Sequence, residues 1–281
     1  MTAINLLQPG NFERIMLATD GSEYSEGAVR VAIEMTRRHN AKLLILSIAI
    51  YSPEYASLVP DLEEIATEKA QAIVQKTVEQ ARGTNYEVVV KLANDPYRGI
   101  VEAAEEQRAD IIVMGRRGRR GLARLMVGDA TAKVVGGAPC AVLVVPKSAN
   151  IWDKRIMVAT DGSRYGDAAT LVAAAVAKGK SYPLTAVSAV VASHSAERRS
   201  EAEAAVQRVK DGLVGSGIEV SGIVEEGRPE QVIIAKARET GADLIVMGTH
   251  GRTGMDRILL GSVSERVIGQ AECPVLLVRA A

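Results

Sequence analysis

Aromatic side chains are scarce in this sequence: one Phe, one Trp and seven Tyr make up 3% of 281 residues. A protein that binds single-stranded nucleic acid needs rings on which bases stack, so nucleic acid is not an expected partner. Charge of one sign is lacking too. Lys+Arg and Asp+Glu both number 34, the formal net charge is zero, and no global field draws the chain to a polyanion or an acidic membrane. No apolar run is long enough to span a bilayer, and MTAINLLQPGNFER lacks the basic start and apolar core of a signal peptide. The expectation is a cytoplasmic protein without membrane contact. Only two cysteines occur, too few for a disulfide framework and without zinc-site spacing, which fits a reducing compartment. Cys140 and Cys273 each sit beside a proline, at the entrance to AVLVV or VLLV, and read as small core residues.

What the sequence does contain is a repeat. Arg14-Ile-Met-Leu-Ala-Thr-Asp-Gly-Ser22 returns as Arg155-Ile-Met-Val-Ala-Thr-Asp-Gly-Ser163, and Ala109-Asp-Ile-Ile-Val-Met-Gly115 returns as Ala242-Asp-Leu-Ile-Val-Met-Gly248. The offsets, 141 and 133, place eight extra residues in the first copy, most simply around Ser52 to Asp61, as a surface loop or helix start. The polar stretch Pro146-Lys-Ser-Ala-Asn150 joins the copies, giving domains at 1–148 and 149–281.

Each copy alternates short apolar runs with amphipathic stretches. Strands are predicted over Arg14–Ala18, Lys42–Ile48, Glu87–Lys91, Asp110–Met114 and Ala141–Val145, and again over Arg155–Ala159, Leu184–Val190, Glu219–Val224, Asp243–Met247 and Val275–Val278. Runs that are apolar throughout and separated by helices indicate a parallel sheet covered on both faces. Pro96 and Pro229 suit the first turn of a helix, and Gly241 suits a helix end. The fold class is α/β: two tandem doubly wound, Rossmann-like domains, each with a mainly parallel five-stranded sheet. Ala141–Val145 and Val275–Val278 are edge strands expected to pair across the two domains as an intramolecular pseudo-dimer, with a further homodimer also expected.

Ligands of such sheets bind beyond the carboxyl ends of the strands. Thr19-Asp20-Gly21-Ser22 and Thr160-Asp161-Gly162-Ser163 lie there, as does Gly248-Thr-His-Gly251-Arg-Thr-Gly254, leading to Leu260-Gly261-Ser262. A Gly-rich turn before a helix lets backbone N–H groups and the helix dipole converge on phosphate oxygens. The same residues also allow a plain tight turn, with Ser262 and Glu265 forming a capping box.

Gly248-x2-Gly251-x9-Gly261-Ser262 resembles the ATP-binding signature of the universal stress protein family, and Asp161 after a short apolar strand resembles its other hallmark. The resemblance covers nearly the whole chain twice, as in the tandem form of that family. It is neither a P-loop, since no Gly-Lys-Ser/Thr follows, nor a dinucleotide fingerprint, since the glycines follow the fourth strand. The resemblance implies a domain that binds ATP, with Mg2+ on the phosphates, and acts in a stress response by changing its association with an as yet unidentified protein partner. Asp161 is then placed near the nucleotide and its metal, with Thr160 beside it. Met247, Gly248, His250 and Gly251 follow the ribose and phosphates, and Gly261, Ser262, Val263 and Ser264 meet the phosphate tail. Ala159 and Ala189 are candidates for the adenine walls.

The first copy matches with Asp20, Gly115, Gly118 and Gly128, but then has Asp129 in place of a Ser or Thr. An aspartate there is expected to cap the helix and so to occupy amides that an anion needs. At ~4 Å and surface-like screening its charge repels a phosphate by about 4 kcal/mol. Arg116, Arg117, Arg119, Arg120 and Arg124 crowd the same loop, either as an anion site or as a solvated or domain-contact surface. The expectation is weaker ATP binding in the first copy than in the second, or none. His39 and His194 stand in polar surroundings; His250, in the glycine loop, is the only histidine with an expected ligand role. Neither a nucleophile–base set nor a metal-ligand cluster recurs in both copies, so no hydrolytic engine is evident. Two alternatives to a regulatory ATP-binding module remain: a slow metal-dependent ATPase or nucleotide-transfer enzyme using Asp161, and an interaction scaffold with vestigial sites.

Overall fold

The computed structural model describes residues 12–52, 54, 61–117, 127–191, 196–251 and 260–280. They fall into two compact units, Phe12–Asn150 and Ile151–Ala281. In the first, the order is β1 (Arg14–Ala18), α1 (Glu26–His39), β2 (Lys42–Ile50), α2 (Leu62–Gln80), β3 (Asn85–Ala93), α3 (Pro96–Glu106), β4 (Ile111–Gly115), α4 (Asp129–Gly137) and β5 (Ala141–Val145). The second repeats it with β6 (Ile156–Ala159), α5 (Arg164–Lys178), β7 (Leu184–Val190), α6 (Ala196–Gly212), β8 (Val220–Glu226), α7 (Pro229–Thr240), β9 (Leu244–Gly248), α8 (Ser262–Gln270) and β10 (Val275–Val278).

Within the first unit the strands lie in the order β3-β2-β1-β4-β5, and within the second β8-β7-β6-β9-β10, every pair parallel. From the first strand of each unit the chain moves outward one way and then returns to build the other side. Right-handed crossovers in opposite directions carry helices to both faces of a sheet. The central strands are therefore buried on both sides. Ile15, Met16, Leu17, Ile111 and Ile112 are fully buried, as are Ile156, Met157, Leu244 and Ile245.

The helix signals hold where backbone geometry decides them. Pro96 and Pro229 open their helices, and Asp95 caps α3 by accepting from Tyr97 N–H at 2.9 Å. Gly241 ends α7 in the left-handed region at φ +68°, which costs glycine nothing. Asn40 does the same for α1 at φ +49°.

Strand bounds differ from the predicted ones in two systematic ways. β2 and β3 run longer, because the two pair over the whole of Lys42–Ile50 and Asn85–Ala93, beyond the stretch that apolar patterning marks. β4 and β9 begin one residue later, at Ile111 and Leu244, and the side chain of the aspartate before each serves as an acceptor. Asp110 Oδ2 accepts from Glu13 and Arg14 N–H, both at 2.8 Å. Asp243 accepts from the N–H groups of Asp153, Lys154 and Arg155 at 2.8, 3.0 and 3.1 Å. Most of the insertion at Ser52 to Asp61 lies outside the described residues.

Candidate functional site

In the strand order of each unit, the first and fourth strands are the neighbours whose onward connections part in opposite directions. That reversal opens a crevice at their carboxyl ends. In the second unit it lies between the ends of β6 and β9.

After β6 the chain is held in a tight turn by its own side chains. Thr160 N–H donates to Val187 O at 2.9 Å, Gly162 N–H donates to Thr160 Oγ1 at 3.2 Å, and Ser163 N–H donates to Asp161 Oδ1 at 3.0 Å. Gly162 takes φ +74° to complete the turn. Ser163 then caps α5, accepting from Gly166 N–H at 3.3 Å. One carboxylate oxygen of Asp161 is thus fixed, and the other faces the loop after β9. A Cβ added at Gly251 would stand 2.7 Å from Asp161 Oδ2.

The loop after β9 is fastened at several points. Thr249 N–H donates to Val278 O at 3.0 Å, Gly261 N–H donates to Thr249 O at 3.0 Å, and the buried Ser264 hydroxyl donates to Gly248 O at 2.9 Å. Gly248 is required because Tyr165 packs on it: an added Cβ would lie 2.6 Å from Tyr165 Cβ. The His250 ring lies 5.3 Å from the Tyr165 ring, and its Nδ1 is 3.1 Å from Thr249 Oγ1. Arg164 covers Tyr165 at 4.9 Å and donates to its hydroxyl at 3.0 Å.

No capping box forms on α8. Gly261 is the N-cap residue, with φ −64° and ψ 140°, and Ser262 is already the first helical residue. A cap residue needs non-helical backbone, and the chain assigns that geometry to the glycine. Among the described residues no side chain caps this helix. The first-turn N–H groups of Ser262, Val263 and Ser264, which a helix does not satisfy internally, lie with the positive end of its dipole beside the loop at the carboxyl end of β9.

Ala159 pairs with Val187 on β7 and with Met247 on β9. Paired residues of parallel strands point to the same face, and Ala189 is two residues beyond Val187. Ala159, Met247 and Ala189 therefore share one face at the carboxyl end of the sheet. The second-unit residues expected at the site lie at this carboxyl edge, with one difference in role: the Ser264 hydroxyl is committed to Gly248 O, leaving its N–H as the group it offers.

The first unit builds the same frame. Asp20 Oδ1 accepts from Ser22 N–H at 3.0 Å and from Ser22 Oγ at 2.6 Å, and Gly21 has φ +68°. Gly128 N–H donates to Arg116 O at 3.0 Å, and Thr131 Oγ1 donates to Gly115 O at 3.2 Å. Gly115 is again crowded, with Tyr24 O 2.5 Å from an added Cβ. The occupants of the frame differ. Arg117 stands where His250 stands in the other copy, its guanidinium 5.8 Å from the Tyr24 ring centre. Burial, helped by Arg117, lowers the Arg116 pKa below its ordinary value. Asp129 does not cap α4, contrary to expectation. Gly128 is the N-cap, and the exposed Asp129 carboxylate meets Lys133 Nζ at 2.7 Å one turn on. Gly118, Arg119, Arg120, Arg124 and His194 lie outside the described residues.

Tyr24 and Tyr165 were not anticipated as part of either frame. The signal was available, since each stands two residues after the serine of the repeated Thr-Asp-Gly-Ser. Among the described residues no group of three or more His, Cys, Asp or Glu is placed to hold a metal ion, and no helix is long and apolar enough to cross a membrane.

Comparison with known proteins agrees with the duplication. The model of the universal stress protein family matches residues 11–146 and again 154–279. Universal stress protein Mb2028c of Mycobacterium bovis is 28% identical over 97% of this chain and 99% of its own length. Universal stress protein MJ0531 of Methanocaldococcus jannaschii is 47% identical over 29% of this chain, a match spanning 48% of that relative. Among solved structures, a universal stress protein from Archaeoglobus fulgidus superposes with a TM-score of 0.74 and 25% identity, covering 96% of this chain and 99% of its own.

Proposed function

This chain belongs to the universal stress protein family, and from that membership and the crevice geometry we propose that its second unit binds ATP and that occupancy governs association with a protein partner. The observation that carries the reading is the convergence of Asp161, Gly251 and the uncapped start of α8. Glycine at 251 leaves room beside a fixed carboxylate, and the amides of Ser262, Val263 and Ser264 supply donors without charge of their own. The adenine lies on the face shared by Ala159, Met247 and Ala189. His250 and the Ser262 hydroxyl donate to phosphate.

Mg2+ needs few protein ligands when phosphates and water fill the remaining positions, so the single carboxylate of Asp161 fits such an ion. The protein works in the cytoplasm, where its two free thiols stay reduced. Turnover is not required by this arrangement.

Native mass spectrometry and calorimetric titration of the full chain test the reading. The expected result is a bound ATP in the second unit, with affinity lost in Gly251→Ala. A chain that binds no adenine nucleotide, in either experiment, would be a scaffold with vestigial sites. Steady turnover abolished by Asp161→Ala would instead make it a slow ATPase.

A further inference from the structure

We propose that β3 is a docking edge at which two copies of this chain join, strand to strand and antiparallel, about a two-fold axis at Val89. Among the described residues β3 pairs with β2 alone. It is nine residues long, without proline or glycine, and exposes three large apolar side chains: Tyr86, Val88 and Leu92, at 40%, 40% and 38%. Long apolar edges are templates for another strand, which proteins usually blunt with charge, proline, bulges or brevity. The equivalent strand of the second unit is shorter, at seven residues, and its charges are of one sign. β8 carries Ser221, Gly222, Glu225 and Glu226.

The backbone of β3 is set for the pairing. Ala93 O accepts from Tyr51 N–H at 3.0 Å, so Ala93 and the odd-numbered residues turn their peptide groups to β2. By alternation, Tyr86, Val88, Val90 and Leu92 turn theirs outward. Antiparallel pairing centred on Val89 sets Tyr86 opposite Leu92 and Val88 opposite Val90. Each of these apolar pairs then exchanges both N–H···O bonds.

Charge identifies the occupant as a second copy. In the same register Glu87 faces Lys91 of the second copy, twice about the axis, in the non-hydrogen-bonded pairs where side chains come closest. Moving the axis by one residue either way would place Lys91 opposite Asn85 or Val89 and lose the match. Glu87 already meets Lys42 at 2.5 Å, and Lys91 meets Glu106 at 2.6 Å and Glu102 at 3.4 Å. The new pair joins these into a row of alternating charge across the axis. The same operation on β8, about Ile223, sets Val220 against Glu226 and Ser221 against Glu225, with no complementarity.

The interface is independent of nucleotide, and its test requires none. Sedimentation of the full chain across a dilution series is expected to show a reversible dimer. Val88→Lys raises its dissociation constant about tenfold or more, since lysine enters the ladder at two symmetric places, whereas Val214→Lys, at a residue 81% exposed in the other unit, leaves it unchanged. Val89→Cys reports the register: cysteines meeting at the axis form a disulfide-linked dimer under mild oxidation, and Val88→Cys does not. The wild-type chain, whose two thiols are held protonated by burial, gives no cross-link. A monomer at every concentration overturns the proposal. So does a dimer that Val88→Lys leaves intact and Val89→Cys fails to cross-link.

Discussion

At the scale of single residues, several groups of the crevice have one assignable task each, and substitution separates them. A methyl group at position 251 meets Asp161 Oδ2 at 2.7 Å, while Oδ1 of that carboxylate is tied to Ser163 N–H. The carboxylate has to turn away from the place it holds in the crevice, so Gly251→Ala is expected to weaken ATP binding at least tenfold, about 1.4 kcal/mol, by calorimetry. Ser264→Ala acts elsewhere: it leaves Gly248 O without its buried donor, and urea unfolding is expected to show a loss of about 1 to 2 kcal/mol. Cys140 and Cys273 keep some exposed surface as residues, yet burial pushes both thiols up to about 12 from 9.0. The folded chain keeps those protons where the unfolded chain releases them. Stability contributed by the neutral thiols is therefore complete below pH 9.0 and lost as pH rises to about 12. Alkylation by iodoacetamide at neutral pH should be slow until the protein is unfolded. That both cysteines stand at strand entrances was legible in the flanking sequence, though as residues they are only half-buried; the role of Ser264 was not, because its acceptor belongs to a strand end sixteen residues back.

At the scale of elements, the sheet was legible because fully buried parallel strands have to be apolar at every position, as β4, β6 and β9 are throughout and β1 is after Arg14. Their ends were less so. The aspartate before β4 and β9 reads locally as a polar residue entering a strand, but its work is done on residues about ninety positions earlier. Asp243 gathers three backbone N–H groups and Asp110 two. Hydrogen bonds to an ionised acceptor are worth about 1.5 to 3 kcal/mol, and part-exposed ones fall at the low end. Asp243→Ala is accordingly expected to destabilise its unit by about 2 kcal/mol or more, and Asp110→Ala its own by somewhat less, in thermal unfolding of each full-length variant. The helix starts show the opposite limit of local reading. Ser262 and Asp129 have the chemistry of caps, but the extended backbone that a cap requires is taken by the glycine before each. A side chain one residue inside the helix cannot close the ring to the first amides.

At the scale of the whole molecule, two copies of one frame carry different charges at the same two places. His250 is replaced by Arg117 against the tyrosine that both copies share, and Ser262 by Asp129 at the first position of the helix. The exchange adds one positive and one negative group, which leaves the frame intact and changes what it accepts. Because Asp129 does not cap α4, its cost to an anion is electrostatic alone, and the first-turn amides remain on offer as they are in the second unit. At a surface-like dielectric that repulsion is about 4 kcal/mol at ~4 Å, reduced by the pairing with Lys133. Removing the carboxylate should therefore awaken the first site. Calorimetry on the wild-type chain is expected to give one ATP per chain, and Asp129→Ser a second, weaker event that Asp20→Ala removes. In Ser262→Asp the high-affinity event should fade while thermal stability changes little, since neither residue caps its helix. Two equal sites in the wild-type chain would mean that Arg116 and Arg117 outweigh the carboxylate, and the division of labour between the copies would have to be sought outside their nucleotide loops.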